Sequence, residues 1–286
     1  MTYDSPRALR TALEHRLLQR STETGVSLDR LRRRVVFERV VARLSSAEPG
    51  AWVVKGGMAL EVRLRDDARL TKDLDLGLRD NEVTAESLHE RLIDVLALDP
   101  AGDRFVFAVG VPERMTEGAQ HVTWRARVEA RLADKRFGSI QLDIAPRPYE
   151  LTDTDHVELP SLLDFAGVPA SVVEIIDIHR HAAEKLHAMT RDFGDRENSR
   201  LRDLVDLVLM VEHEMLTPAL LAARTTDVWT ERENSNPSPD LPPLPESWAN
   251  RYGPLTEQLD IDTRSYPSAV TIVADLWRAM YPNEEI

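Results

Sequence analysis

Asp73 and Asp75 stand one residue apart in the run Asp73-Leu74-Asp75-Leu76-Gly77-Leu78, where acids alternate with leucines. Residues two apart on a strand project to the same face, so the two carboxylates point together while Leu74, Leu76 and Leu78 anchor the other face in a core. Hard oxygen donors side by side suit Mg²⁺. Upstream, the apolar run Trp52-Val53-Val54 meets the pair Gly56-Gly57, and Met58 to Leu64 reads as a helix. Bare backbone N–H groups at a helix start can face phosphate. Paired carboxylates next to a phosphate-facing turn are what metal-dependent nucleotidyl transfer requires.

An acid-x-acid triplet is weak evidence in so acidic a chain, because Asp and Glu make up 49 of 286 residues. Asp153-Thr154-Asp155, with polar neighbours in an apparent loop, and Asp260-Ile261-Asp262, which follows no glycine turn, are internal controls. Context separates Asp73 and Asp75 from them: the glycine turn, the unbroken apolar alternation, and a third acid, Asp143, inside Ile140-Gln141-Leu142-Asp143-Ile144-Ala145. An acid flanked by apolar strand residues is costly to bury, and three of them meeting at a metal offset that cost. The competing reading is that Asp73 or Asp143 forms a structural salt bridge or caps a strand end.

The elements that must position these residues follow from periodicity. Residues 5–20 and 27–46 have helical spacing, the latter through Leu28, Leu31, Val35, Val36, Val40 and Leu44. Strands are expected at 51–55 and 73–78, a helix at about 83–97, and strands at Phe105 to Val111, Val122 to Leu132 and Phe137 to Ala145, the last two joined by a turn near Asp134 to Gly138. Beyond about residue 150 the texture changes, and 171–191, 200–214, 216–224 and 266–281 read as helices. The expected organisation is a mixed α/β (α+β) half over 1–150 and a helical half over 151–286, with a Pro-, Ser- and Asn-rich linker from Glu231 to Pro245.

The helical half holds a second constellation. Lys185 lies in Ala183-Glu184-Lys185-Leu186-His187-Ala188, and Asp203 and Asp206 lie three apart, on one face, in Arg200-Leu201-Arg202-Asp203-Leu204-Val205-Asp206. A lysine on a rigid helix can reach a triphosphate as a compact charge; by itself it is more simply a surface lysine, and Asp203 a helix N-terminal acid favoured by the dipole. A zinc site from His179, His181 and His187 is disfavoured because His179 and His181 face different sides of a helix.

With 286 residues, 42% of them hydrophobic and 30% charged, the chain can bury a core over one large or two modest domains. It has no cysteine, hence no disulfide framework and no thiolate zinc site. No apolar run is long enough to span a bilayer and the first residues are polar, so a cytoplasmic address and no membrane partner are expected. The net charge of −13 argues against a uniformly basic nucleic-acid binder. Residues 1–50, however, carry ten Arg against six Asp and Glu. Arg30, Arg32, Arg33, Arg34, Arg39 and Arg43 form either a basic stripe for a phosphate backbone or, more commonly for such runs, a face paired with acidic neighbours.

Taken in order, Lys55-Gly56-Gly57-x-Ala59-Leu60, Arg69-Leu70-Thr71-Lys72-Asp73-Leu74-Asp75-Leu76, Leu142-Asp143-Ile144, Glu184-Lys185-Leu186-His187-Ala188 and Arg200-x-Arg202-Asp203-Leu204-Val205-Asp206-Leu207 resemble the AbiEii/AbiGii family of nucleotidyltransferase toxins, including the MenT-type toxins. The resemblance covers roughly residues 50 to 210, and the ordered set is far more specific than any one motif. It implies a DNA polymerase β-like nucleotidyltransferase core with a mixed sheet, preceded by helices and followed by a helical domain. It implies an enzyme that transfers NMP from NTP to a hydroxyl, most specifically the 3′ end of tRNA, blocking translation, and a cognate antitoxin as partner. Gly56 and Gly57 would bind the nucleotide, Asp73, Asp75 and Asp143 would hold one or two Mg²⁺, Lys185 would contact the triphosphate, and Asp203 would complete the catalytic set. One departure is Met58, where the family pattern usually has Ser or Thr, which puts any hydroxyl-dependent phosphate contact or control there in doubt. Two other readings stay open: NMP transfer to a protein hydroxyl, and a non-catalytic nucleotide- or antitoxin-binding module.

Overall fold

The computed structural model describes residues 3–69, 71–117, 121–159, 161–194, 197–257 and 259–282; Leu70 of the motif 69–76 lies outside them. The chain divides into two units, Met1–Val62 with Thr71–Ile175, and Arg63–Leu70 with Ile176–Ile286.

In the first unit, Ser5 accepts from the Ala8 amide and Pro6 occupies the first turn, which starts α1 (Pro6–Thr24); Gly25, at φ +72°, ends it. There follow α2 (Leu28–Ala47), β1 (Trp52–Val54), α3 (Gly56–Leu64), β2 (Asp73–Leu78), α4 (Ala85–Ala97), β3 (Val106–Val109), β4 (Glu113–Glu117), β5 (His121–Leu132), β6 (Lys135–Ala145), β7 (Thr154–Leu159) and β8 (Ser171–Ile176). Among the described residues the strands form one mixed sheet in the order β3-β5-β6-β2-β1-β8-β7, with β4 also paired to β5. β2 lies antiparallel to β1 and parallel to β6. Leu31, Val35, Val36, Val40 and Leu44 of α2 are all buried, as their spacing predicts.

Three elements up to Ile176 differ from their expected form. Ser171–Ile176, expected within one long helix, is the strand β8, and the helix starts only after Asp177, whose side chain accepts from the Arg180 amide at 2.8 Å. The β-branched Val172, Val173, Ile175 and Ile176 favour extension, and the helical period begins only at Ile178. The sheet therefore continues past residue 150 to Ile176. Asp153-Thr154-Asp155, read as an apparent loop, leads into the strand β7, which starts at Thr154. The turn between β5 and β6 is the two-residue Ala133-Asp134, both at positive φ, and the strand resumes at Lys135. Two successive left-handed residues match the twist of a hairpin but strain any residue with a Cβ. Arg10 of α1 steadies this turn by donating to the carbonyls of Leu132, Lys135 and Arg136 at 2.9–3.0 Å.

The arginine run of α2 is occupied by acids. Arg32 forms a fork on Glu14, Arg33 reaches Asp29 at 3.4 Å, and Arg34 meets Glu61 of α3 at 2.7 Å. Arg39 and Arg43 are buried: Arg39 pairs with Glu38, and Arg43 binds Asp103 at 2.5 Å and the carbonyls of Leu96 and Phe105. Burial pushes the Asp103 carboxyl up, against the opposing charge of Arg43. These pairings favour the reading of the run as a structural face.

The second unit contains α5 (Ile178–Thr190), α6 (Leu201–Glu212), α7 (Pro218–Glu233), α8 (Ala249–Thr256) and α9 (Tyr266–Met280). The helix expected at 216–224 runs on to Glu233 and ends at Asn234 in the left-handed conformation, so the irregular linker begins later than composition suggested. Leu204, Val205, Leu207, Val208, Trp248, Tyr252, Val273 and Trp277 form the core. Among the described residues no helix is long and apolar enough to cross a membrane.

Removing one member of a buried ion pair leaves the other charge uncompensated, which costs about 3–5 kcal/mol. Arg43→Leu is therefore expected to lower unfolding stability by that order, and Arg43→Leu combined with Asp103→Leu to recover more than half of it. Denaturant titration of the two variants against the parent checks this.

Candidate active site

The parallel register of β2 and β6 sets Asp73 opposite Gln141 and Asp75 opposite Asp143. All four side chains lie on one face, half-buried, while Leu74, Leu76, Leu142 and Ile144 fill the core on the other. Gln141 donates to Asp73 at 3.1 Å. On the next strand, Arg125 stands opposite Asp143 and holds both its oxygens in a fork, at 2.8 and 2.6 Å. That hydrogen bonding raises the Arg125 pKa, and the charges of Asp73 and Asp75 add to it. Three carboxylates and one guanidinium thus share a small area of sheet with a formal charge of −2.

The glycine turn meets this face directly. Gly56 opens α3 at φ +58°, and a Cβ placed there would fall 1.8 Å from Oδ2 of Asp75, which is sterically impossible. Glycine at 56 is required twice over, for the left-handed backbone and for the approach of the carboxylate. The Lys55 amide donates to the Asp75 carbonyl at 2.8 Å, pinning the turn to β2. The N–H groups of the first turn of α3 have no intrahelical acceptor, so the turn favours negative charge. Gly57 lies inside α3. Met58 is buried, so the position that departs from Ser or Thr carries a core side chain. Lys55 is also buried, on Glu150 at 3.0 Å.

In the second unit, Lys185 of α5 donates to Asp203 at 2.9 Å and to Asp206 at 2.6 Å, both on α6. Asp206 also receives Arg69 in a fork, at 2.7 and 2.8 Å. Burial pushes the Asp206 carboxyl up, but the charges of Lys185 and Arg69 outweigh it and hold the pKa at about 2. For Lys185 burial acts downward, and Asp203 and Asp206 together raise it above the ordinary lysine value. The four groups sum to zero charge. Lys185 is thus a buried member of an ion cluster and not a solvated surface lysine.

The structure brings together Gly56, Asp73, Asp75 and Asp143 in the first unit, and Lys185 with Asp203 in the second. Three residues given no role from sequence join them: Arg125, Gln141 and Arg69. Gln141 was accessible by its two-residue offset from Asp143; Arg125 and Arg69 needed strand order and helix packing. As the side chains stand, no group of three acidic or imidazole residues among the described residues is drawn tightly enough to hold an ion. The donor set nevertheless fits a hard divalent cation: carboxylate oxygens from three acids on one face. Asp73 and Asp75 are the residues that would hold it, with Asp143 available once its fork to Arg125 loosens.

A family model described as "nucleotidyl transferase AbiEii toxin, type IV TA system" matches residues 39–282. Among solved structures, MenT4, a nucleotidyltransferase toxin from Mycobacterium tuberculosis H37Rv, superposes with a TM-score of 0.57 at 16% identity, covering 96% of this chain and 90% of that one. At that identity the likeness concerns the fold. A candidate nucleotidyltransferase from H. pylori gives a TM-score of 0.47 at 16% identity over 90% of this chain and 96% of that one. Comparison with curated proteins found no match.

Two outcomes follow from the geometry. Gly56→Ala forces Asp75 away from the turn and is expected to cost about 1–3 kcal/mol of stability, read by thermal melting, where an unchanged midpoint would show that the approach is not needed. Asp206, depressed from 3.8 to about 2, contributes about 2 kcal/mol of stability. Because the folded pKa is the lower one, this contribution is complete above about pH 4 and is lost as pH falls towards 2. Stability of Asp206→Asn measured from pH 6 to 2 should fall less steeply than that of the parent.

Proposed function

The chain belongs to the AbiEii family of nucleotidyltransferase toxins of type IV toxin–antitoxin systems, and we propose that it transfers NMP from an NTP to the 3′ hydroxyl of tRNA in a Mg²⁺-dependent reaction, blocking translation in the cytoplasm until a cognate antitoxin restrains it. The observation that supports this most is the register of β2 and β6, which aligns Asp75 with Asp143 and sets Asp73 beside them, against the Gly56 turn. The motif resemblance to MenT-type toxins supports tRNA as acceptor.

In this reading the acceptor oxygen attacks the α-phosphorus in line. The new P–O bond forms as the bond to the β-phosphate oxygen breaks, and pyrophosphate leaves with that electron pair. Asp143 accepts the hydroxyl proton as its fork to Arg125 loosens. Gly56 and Gly57 present backbone N–H groups to the phosphates. The motif resemblance assigns Lys185, held within the second unit by Asp203 and Asp206, to the triphosphate, where an ammonium would steady negative charge. Asp73 and Asp75 would hold Mg²⁺, which would supply Lewis acidity and charge neutralisation.

Incubation with α-phosphate-labelled NTPs, Mg²⁺ and total tRNA should label RNA at its 3′ end. Asp75→Asn should lower the rate by at least about 10³-fold, and chelation of the cation should do the same. Absence of label from the parent chain, or equal transfer by Asp75→Asn, would sink the proposal; label recovered in protein would move the acceptor to a protein hydroxyl.

A further inference from the structure

Arg125 takes no part in the transfer as described, yet it is the cation nearest in register to the three acids. Its strand, β5, follows β6 in the sheet, and its fork closes on Asp143, which is itself opposite Asp75. The row Asp75, Asp143, Arg125 runs straight across three strands on one face. Both Asp143 oxygens are engaged, at distances typical of charge-assisted bonds.

Resting on the reading of Asp73, Asp75 and Asp143 as the cation-binding acids, we propose that Arg125 is a positioning residue that occupies Asp143 as a resident counterion and thereby sets how tightly the three-acid face binds a divalent cation.

Arg125 and a divalent cation compete for one negative charge, that of Asp143. Three carboxylates on one face repel one another, and each is stabilised by any cation near it. Removing Arg125 takes one positive charge from beside Asp143. A divalent ion arriving beside Arg125 meets a like charge and must draw Asp143 out of a two-bond fork. The exposure of the pair points the same way: about a third of the Arg125 side chain is accessible, against 16% for Asp143, so the guanidinium can swing outward while the aspartate stays. Arg127, two residues along β5 on the same face, stands opposite Gln141 and is exposed, so it faces no acid directly across the β5–β6 pair. Gln141, opposite Asp73, is neutral, and Glu113, opposite Arg125 on β4, is an acid. The fork also fixes the plane of the Asp143 carboxyl, which a lysine ammonium would not do.

The test is Mn²⁺ binding to the full chain without nucleotide, followed by electron paramagnetic resonance, for the parent, Arg125→Gln, Arg125→Lys and Asp75→Asn, with thermal midpoints as a check on folding. Arg125→Gln should tighten Mn²⁺ binding about tenfold, and the Mg²⁺ concentration for half-maximal transfer should fall in parallel. Arg125→Lys, which keeps the charge, should stay within about threefold of the parent. A residue that merely braced the sheet would weaken cation binding on removal or leave it unchanged. Either result in a folded Arg125→Gln, or tightening equal in Arg125→Lys, overturns the proposal. Failure of the underlying reading looks different: Asp75→Asn would then bind Mn²⁺ as well as the parent, or no variant would bind it, Arg125→Gln included.

Discussion

Like charges set side by side repel, and this chain sets three carboxylates on one face of a sheet. Parallel pairing of β2 with β6 makes the arrangement unavoidable, because it puts Asp75 directly opposite Asp143 and Asp73 one same-face step away. The leucines and isoleucines on the opposite face hold that register through burial, since a slip of one residue would turn them outward. The strands are thus aligned by their apolar side, and the acids must tolerate the consequence. They do so through Arg125 and Gln141, and through the first turn of α3, which brings orphan N–H groups and a glycine that yields space to the Asp75 carboxylate.

The second unit solves a related problem by a different route. Asp206 is wholly buried, which by itself raises its pKa, but Lys185 and Arg69 reach it at 2.6–2.8 Å and keep it ionised. In that cluster two cations meet two acids, where on the three-acid face Arg125 forks onto Asp143 alone. That difference separates the two constellations physically: the cluster supplies rigidity and a held ammonium, and the three-acid face supplies carboxylates that suit a cation.

The arginines of α2 show how misleading a charge run can be when read along the chain. Six of them in fourteen residues look like a basic stripe, yet Arg39 and Arg43 point into the first unit and Arg32, Arg33 and Arg34 each meet an acid. Helix geometry spreads such a run around the whole circumference, and which members reach an acid depends on elements far away in sequence, such as Asp103.

Much of the candidate site was legible in the residues themselves. Alternation placed Asp73 and Asp75 on one face and the glycine pair at a helix start, because strand and helix periods are local properties of the backbone. β8 is the exception: Ser171 to Ile176 is apolar enough to suit either a helix or a buried strand, and pairing with β1 adds to the preference of its β-branched residues for extension. Sequence alone determined which side chains could carry charge and which neighbours would share a face. Tertiary structure decided their partners: that Asp143 faces Asp75 and is gripped by Arg125, and that Lys185 is buried between Asp203 and Asp206. Strand order and helix packing set those pairings, and both depend on contacts between residues distant in the chain, whose energies no local pattern encodes.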